Sequence, residues 1–317
     1  MRVKDFLNSA SRTAFSFEIL PPLKGNSIDK VYKTIDALRE FDPKYINITT
    51  HHSEFVQRTL DTGEVVKQNI RKRPGTVAVA AAIQHKYGIT AVPHIICSGF
   101  TKAETEYALI DLQFLEIFDL LVLQGDKGKI DPGFIRQEDS HQYAIDLQGQ
   151  INRFNQGYFL DGSQMEKAGT SFSYGVAGYP EKHVDAPSMD SDIHFLKEKV
   201  KAGADYVVTQ MFFDNRKYFD FLARCRAEGI AVPIIPGIKP IVFCNQLSVL
   251  PKIFGSEIPE DFATELRKCS TDEQAKEVGV EWCIQQCKEL IGKGVPSLHF
   301  YTFMATDSVR RVAQRVY

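Results

Sequence analysis

Eight short apolar, β-branched runs recur along this chain of 317 residues, at positions 15–20, 45–50, 90–96, 120–125, 172–177, 205–212, 233–238 and 297–303. Amphipathic stretches with helical spacing lie among them, at 27–39, 64–73, 101–115, 191–202, 216–227 and 272–290. A strand that is followed by a helix before the next strand returns to the same end of the sheet, so such alternation predicts parallel pairing. Eight strands with no second apolar core favour closure, which also removes exposed sheet edges. The expected fold is therefore α/β, a (β/α)8 TIM barrel in a single domain over residues 1–317. Barrels of this kind run to about 250 residues and more with insertions, so the length is compatible.

Punctuation between the runs agrees. Ser27 can cap the first long helix, and Lys201-Ala202-Gly203 supplies a cation and a glycine where another should stop. A doubly wound dinucleotide fold is the main competitor, but no GxGxxG follows any strand, and Gly175-Val-Ala-Gly178 lacks the spacing. Residues 127–171 are the irregular part, rich in Gly, Asp, Gln and Asn around a helix-like stretch at 140–153. They follow the fourth run, so they are expected as an insert over the barrel mouth.

Composition excludes several classes. The 38 basic and 40 acidic residues are dispersed and leave a net charge of −2, which argues against a nucleic-acid surface. The N-terminal MRVKDFLNSASRTAF has no signal-peptide core, and no run approaches the ~20 apolar residues of a membrane helix. The six cysteines show no CxxC, so reduced thiols and a cytoplasmic location are expected. The eight histidines show no HxH or HExxH, so no metal site is expected.

Barrels carry their chemistry at the C-terminal ends of the strands. Those ends read Glu18, Thr49-Thr50-His51, His94, Asp126, Tyr179 with Glu181, Gln210, Lys239 and Thr302. Glu18 alternates with Phe15, Phe17 and Ile19, which sets it on the opposite face from them. A partly desolvated carboxyl at the rim could act as a general acid near neutral pH. Asp126 follows Gly125, whose missing side chain lets a ligand approach the backbone. His94, in a buried run, reads first as a core histidine. Lys239 could form a Schiff base if burial lowered its pKa, although an exposed or anion-pairing lysine is the commoner case.

Read together, these segments resemble the methylenetetrahydrofolate reductase family. The resemblance is carried by Phe15-Ser-Phe-Glu-Ile-Leu-Pro-Pro22, Pro93-His94 with Cys97, Leu123-Gln-Gly-Asp126 and Gly178-Tyr-Pro-Glu-Lys-His183. It continues through Lys199-Val-Lys-Ala-Gly-Ala204, Thr209-Gln-Met-Phe-Phe-Asp214, Ile235-Pro-Gly-Ile238 and Leu298-His-Phe-Tyr-Thr302. It implies a flavin-dependent oxidoreductase that passes hydride from NADH or NADPH through FAD to 5,10-methylenetetrahydrofolate, in ping-pong fashion. On that resemblance Glu18 is the general acid and Asp126 sits by flavin and pterin. Gln210, Asp126 and Thr49 touch substrate. FAD contacts fall on Thr50, His52, His94, Gln124, Gly125, Asp126, Ala144, Tyr179, His183, Ala186, Asp192 and Lys199.

The chain departs from the family at three points. Gln124 stands where an arginine often precedes Gly-Asp, Cys244 where an aromatic is common, and Phe303-Met304-Ala305 where Leu-Asn-Arg is usual. Without an arginine at 305, Arg310 or Arg311 is expected to hold the folate's glutamyl tail. The resemblance further implies a bacterial type limited to the catalytic barrel, without the regulatory domain of eukaryotic relatives. The partners expected are folate and nicotinamide dinucleotide, with a homo-oligomer and neither nucleic acid nor membrane. Two rival functions remain open: a cofactor-free barrel lyase or aldolase using Lys239, and a non-catalytic folate- or flavin-binding protein.

Overall fold

A computed structural model describes residues 1–9, 11–51, 54–125, 139–167, 169–303 and 305–317. The strands are β1 (Ala14–Ile19), β2 (Tyr45–Ile48), β3 (Glu54–Thr59), β4 (Val65–Ile70) and β5 (Thr90–Ile96). They continue as β6 (Asp119–Leu123), β7 (Ser173–Gly178), β8 (Tyr206–Met211), β9 (Ile234–Ile238) and β10 (Ser297–Tyr301). Eight of them close in the order β1-β10-β9-β8-β7-β6-β5-β2, every pairing parallel. The (β/α)8 barrel read from the sequence is thus observed, and all eight apolar runs are its strands.

Each barrel strand has two jobs, and its alternation divides them. Phe15, Phe17 and Ile19 face outward and are buried in the shell between barrel and helices, with Ile35, Leu38 and Phe300. Ser16 and Glu18 take the inner face. The Ser16 hydroxyl lies 3.0 Å from Nδ1 of His299 and 3.3 Å from the hydroxyl of Ser297. Side chains of β-branched and aromatic residues fill a half-buried pleat well, which is why these runs pair rather than coil into helices.

Two local assignments change. Residues 64–73, read as a helix, contain β4, which pairs antiparallel with β3 from Glu54↔Ile70 to Thr59↔Val65. Gly63, at φ +85°, turns the chain between them, and its N–H donates to the Leu60 carbonyl at 2.9 Å. Consecutive Val65 and Val66 favour the strand over a helix. The crossover from β2 to β5 is instead the helix Thr76–Tyr87, whose Ala-rich sequence carries little amphipathic contrast. Within 127–171, residues 127–138 lie outside those described. Ala144–Asn155 is the crossover helix from β6 to β7, burying Leu147, Ile151 and Phe154.

The helix Val3–Ser9 closes the barrel floor. Val3 and Leu7 pack against Tyr45, Val92, Leu121, Tyr206, Val208 and Ile235 inside the barrel. Asp119, at the start of β6, accepts the Val3 N–H at 3.1 Å, and Lys4 pairs with Asp205 at 3.4 Å. Ser27, expected as a cap, accepts the Asp29 N–H at 3.1 Å at the start of helix Asp29–Leu38. Gly203, at φ +112°, follows the end of helix Met189–Lys201, where the stop signal was read. No helix among the described residues is long and apolar enough to cross a membrane. No disulfide joins any of the six cysteines, all of which lie among the described residues.

Burial is the main force on Asp119 and raises its carboxyl from 3.8 to about 6, against the pull of the Val3 N–H and Arg2. A carboxyl with a raised folded-state pKa contributes its full stability below pH 3.8, and that contribution is lost as pH climbs through about 6. A rise of this size corresponds to about 3 kcal/mol. Asp119→Asn, which keeps an acceptor for Val3, should therefore gain stability relative to the native protein as pH rises from 4 to 7. Denaturant melts across that range check it. A stability difference that stays flat with pH would show that Asp119 ionises freely.

Candidate active site

The register places Tyr301 and Asn47 on either side of Glu18, so the three side chains line the inner wall together. His94 reaches in from β5, with Nε2 3.6 Å from Oε2 of Glu18. The His94 side chain is 5% exposed and that of Glu18 is 19%, so the carboxyl looks out of the mouth and the imidazole does not. That spacing is within ion-pair range, yet burial, with repulsion from His299 and His51, drives the His94 pKa down to about 3. A neutral imidazole therefore faces Glu18, and the contact is not a salt bridge.

Two further groups define the carboxyl's surroundings. Lys239 follows β9 and is buried at 5% exposure, with its Nζ donating to the Phe303 carbonyl at 3.3 Å. Burial lowers its ammonium to about 8, and Glu18 pulls the other way. Tyr301 donates to the Thr209 carbonyl at 2.7 Å. Its phenol is raised well above the ordinary range, by burial first and then by Glu18. Thr302 donates its hydroxyl to the Glu18 carbonyl and so ties the end of β10 to β1. At this level both polar atoms of the Asn47 side chain and Nε2 of His94, and one layer lower Nε2 of His299, are buried without a hydrogen-bond partner among the described residues. Such groups cost about 1–3 kcal/mol each unless water or a ligand satisfies them. The barrel is therefore apolar at its floor and polar beneath its mouth.

The other residues singled out in the sequence fall into two clusters. On one side, Gln124 and Gly125 follow β6. Gly125 has φ +83°, and a Cβ there would lie 3.1 Å from the Ser98 Cβ, so the backbone runs bare against that side chain. The Gln124 carbonyl accepts from the Ser98 hydroxyl at 2.9 Å, and its side-chain amide donates to the Gln142 carbonyl at 3.4 Å. That second contact draws in the N-terminus of helix Ala144–Asn155, whose first residue is Ala144.

On the other side, the loop after β7 is tightly organised. The rings of Tyr179 and His183 meet edge-on at 4.6 Å. The His183 N–H donates to Asp192 at 2.9 Å, and the Ala186 N–H to the His183 carbonyl at 3.0 Å. Lys182 holds a left-handed φ of 73° while its ammonium donates to the His183 and Ala186 carbonyls. A non-glycine residue in that region persists only when its surroundings over-determine it. Lys199 donates to the Ala177 carbonyl at 2.9 Å, and burial lowers its enclosed ammonium to about 8.

Thr49 and Thr50 sit at the end of β2. Thr49 lies 3.2 Å from Nε2 of His51, and Thr50 donates to the His94 carbonyl. Gln210, on β8, is half-buried, and its Oε1 accepts the Met211 N–H at 3.0 Å. His52 and Asp126 lie outside the described residues. Arg310 and Arg311 are corrected. They sit on the outer helix Thr306–Val316, where Arg310 pairs with Glu40 at 2.8 Å and Arg311 with both oxygens of Glu277. Neither is available at the mouth. Sequence reasoning also passed over Tyr301 and His299, although Ser297, His299 and Tyr301 alternate with Leu298 and Phe300 and so declare an inner polar face.

Fold and site together define a (β/α)8 barrel with an ionisable group held on the first strand and polar ligand groups on the loops above the mouth. The family profile of methylenetetrahydrofolate reductase matches residues 2–316, and the chain belongs to that family. The "5,10-methylenetetrahydrofolate reductase" of Salmonella typhimurium is 31% identical over 288 residues, covering 90% of this chain and 85% of the relative. The "Probable methylenetetrahydrofolate reductase (NADPH)" of Caenorhabditis elegans is also 31% identical, over 301 residues and 94% of this chain. "Methylenetetrahydrofolate reductase (NADH) 1" of Arabidopsis thaliana is 29% identical over 97% of the chain. The chain spans 41% of the worm relative and 49% of the plant one. Among solved structures, an uncharacterised Clostridium thermocellum protein shares the fold at a TM-score of 0.57 and 15% identity. The match covers 99% of this chain and 98% of that one, and the protein is described as binding two copies of 5-methyl-5,6,7,8-tetrahydrofolic acid.

Gly237 keeps this wall in place. A Cβ at that position would strike the Thr209 carbonyl oxygen and come within 2.8 Å of the Tyr301 hydroxyl, the two ends of one hydrogen bond. Because one of these is backbone, Gly237→Ala should cost about 3 kcal/mol, the upper part of the range for overpacking. Guanidinium unfolding measures it, and a loss under about 0.5 kcal/mol would show that the approach is looser than described.

Proposed function

We propose that the protein reduces 5,10-methylenetetrahydrofolate to 5-methyltetrahydrofolate, using FAD and NADH or NADPH in two alternating half-reactions at one mouth. The observation that carries this reading is Glu18, held on the inner face of β1 between Asn47 and Tyr301 and facing His94, in a barrel of this family. The worm relative's name specifies NADPH and the plant relative's NADH, and either dinucleotide serves as the donor in this reading.

The chain's own groups have clear parts in the folate half-reaction. Glu18 gives its proton to a ring nitrogen of the substrate's five-membered ring, which opens to the electrophilic iminium. His94, held neutral, neither pairs with the carboxyl nor takes its proton at physiological pH. The carboxylate left behind is stabilised by the Lys239 ammonium, whose field and that of Glu18 act on one another. Gln210 and Thr49 orient folate and, in the other half-reaction, nicotinamide.

The residues present fit FAD. The helix beginning at Ala144 offers the positive end of its dipole, and buried Nε2 of His94 awaits a polar partner; Gly125, at φ +83°, stands between Gln124 and the family's Asp126 position. Thr50, Gln124, Tyr179, His183, Ala186, Asp192 and Lys199 would complete the holding set, with His52 and Asp126 assigned by resemblance. When bound, FAD supplies the store for the hydride between dinucleotide and folate. One observation favours a second reading: burial lowers Lys239 toward the range of Schiff-base lysines.

The test is an absorption spectrum of the purified protein. We expect a flavin spectrum that anaerobic NADH bleaches and methylenetetrahydrofolate restores. In Glu18→Gln, bleaching should persist while reoxidation by folate slows at least about 100-fold, the low end of what a general acid contributes. A colourless protein in which borohydride reduces an imine between Lys239 and a carbonyl substrate to a stable covalent adduct would decide for the lyase. Reoxidation of Glu18→Gln at the native rate would remove the acid role.

A further inference from the structure

Two adjacent segments at the edge of the mouth, beside the strand that carries Glu18, supply three cationic residues. The loop leaving β1 passes through Lys24, and the segment entering helix Thr76–Tyr87 contains Arg71 and Arg73. These two stretches are fastened side by side: the Lys24 N–H donates to the Lys72 carbonyl at 2.7 Å, and the Arg73 guanidinium to the Pro21 carbonyl. Their height is set by Thr76, which opens the helix and donates its hydroxyl to the Ile48 carbonyl at the end of β2, 3.1 Å away. The cluster therefore lies at the level of the mouth, between the ends of β1 and β2.

The two stretches carry no acidic residue of their own. No acidic residue occurs from 19 to 28 or from 65 to 103, in a chain whose net charge is −2. None of Lys24, Arg71 and Arg73 takes part in an ion pair among the described residues. Lys24 and Arg71 are exposed, Arg73 is half-buried, and the Arg71 guanidinium lies against Gly75, in a place a Cβ would occupy. On the other flank of β1, Ala305 has no charge, and Arg310 and Arg311 are bound to carboxylates on the outer surface.

We propose that Lys24, Arg71 and Arg73 form the subsite for the carboxylates of the folate's glutamyl tail. This rests on the folate reading above and adds to it where the anionic end of the substrate leaves the barrel. A pterin over Glu18 must send its tail across some part of the rim, and a tail of several γ-linked glutamates carries one negative charge per residue plus one. The guanidinium of Arg71 or Arg73 can grip a carboxylate through two parallel N–H groups, while Lys24 adds a point charge. The hairpin β3–β4 leads directly into this segment, so the subsite is built on an element inserted between barrel strand and crossover helix.

The experiment compares KM for mono- and triglutamyl methylenetetrahydrofolate in the native protein, in Lys24→Gln/Arg71→Gln, and in the triple variant that adds Arg73→Gln. Exposed pairs are each worth a factor of a few, so we expect about a ten-fold rise in triglutamyl KM for the triple variant and a smaller rise for the monoglutamate. Raising salt should raise the native KM toward that of the variant, because screening weakens exposed pairs. The double variant keeps the Arg73–Pro21 contact and guards against a folding artefact.

An unchanged triglutamyl KM in the double and triple variants, with folate turnover intact, overturns the subsite and leaves the reductase reading standing. A rise in dinucleotide KM as large as that for folate also overturns it, assigning the cluster to phosphates. If the native protein does not turn folate over, calorimetric binding of 5-methyltetrahydrofolate triglutamate decides. Binding weakened in the variants keeps the subsite while the reductase reading fails, and binding that is absent or indifferent to the cations removes the subsite.

Discussion

Closing β1 onto β10 places a carboxyl on the inner wall of a barrel whose lower half excludes water. Everything chemical about the mouth follows from that one placement. A carboxyl so placed either finds polar neighbours or gives up its charge, because an isolated charge in an apolar surrounding is costly. The wall around it is accordingly polar: Tyr301 and Asn47 flank it, His94 faces it, and Lys239 contributes a nearby positive charge. The same enclosure that lowers His94 to about 3 and Lys239 to about 8 keeps these groups from behaving as they would in water. Burial is the first cause in both cases, joined at His94 by repulsion from His299 and His51 and opposed at Lys239 by the attraction of Glu18.

The floor makes this arrangement possible. Val3 and Leu7 insert from below against Tyr45, Tyr206, Leu121 and Ile235, so water reaches the polar layer through the mouth rather than through the floor. That helix is in turn held by polar contacts at the lower rim, the Val3 N–H on Asp119 and Lys4 on Asp205. Polarity therefore changes sign twice along the barrel axis: polar at the lower rim, apolar across the floor, polar again beneath the mouth. A ligand at the top meets groups whose hydrogen-bonding capacity is still open, among them the amide of Asn47 and Nε2 of His94.

Much of the barrel was legible because each strand is a compact apolar run and the alternation in Phe15-Ser16-Phe17-Glu18-Ile19 assigns faces without ambiguity. The hairpin was not. Residues 64–73 mix Val, Lys, Gln and Arg in a way that satisfies helical spacing as well as alternation; Val65 and Val66 lean toward a strand, and pairing with 54–59 secures it. The helix Thr76–Tyr87 escaped notice for the opposite reason, since Val77, Ala78, Val79 and Ala80–Ala82 present no polar stripe. At the site, residues that carry their own alternation were found, and those whose meaning is relational were missed. Tyr301 matters because it stands opposite Glu18 across a strand pairing, and Arg310 fails because Glu40, 270 residues earlier in the chain, claims it on the outer surface.

Insertion of the hairpin between β2 and its crossover helix shows how such a barrel gains local character without disturbing its core. The hairpin forms its own two-stranded sheet and shares no strand pairing with the barrel among the described residues, so its sequence is free to vary with little effect on the closed sheet. Its last residues must nevertheless return to the mouth, because Thr76 is anchored on the end of β2 and Arg73 on the loop after β1. A charge placed there is delivered to the rim beside Glu18 whatever the tip of the hairpin does. Binding groups carried on such a return segment are positioned by the barrel while their number and sign are set by the insert. That separation lets the strand ends keep the proton chemistry while the rim adjusts to the length and charge of whatever the substrate trails behind it.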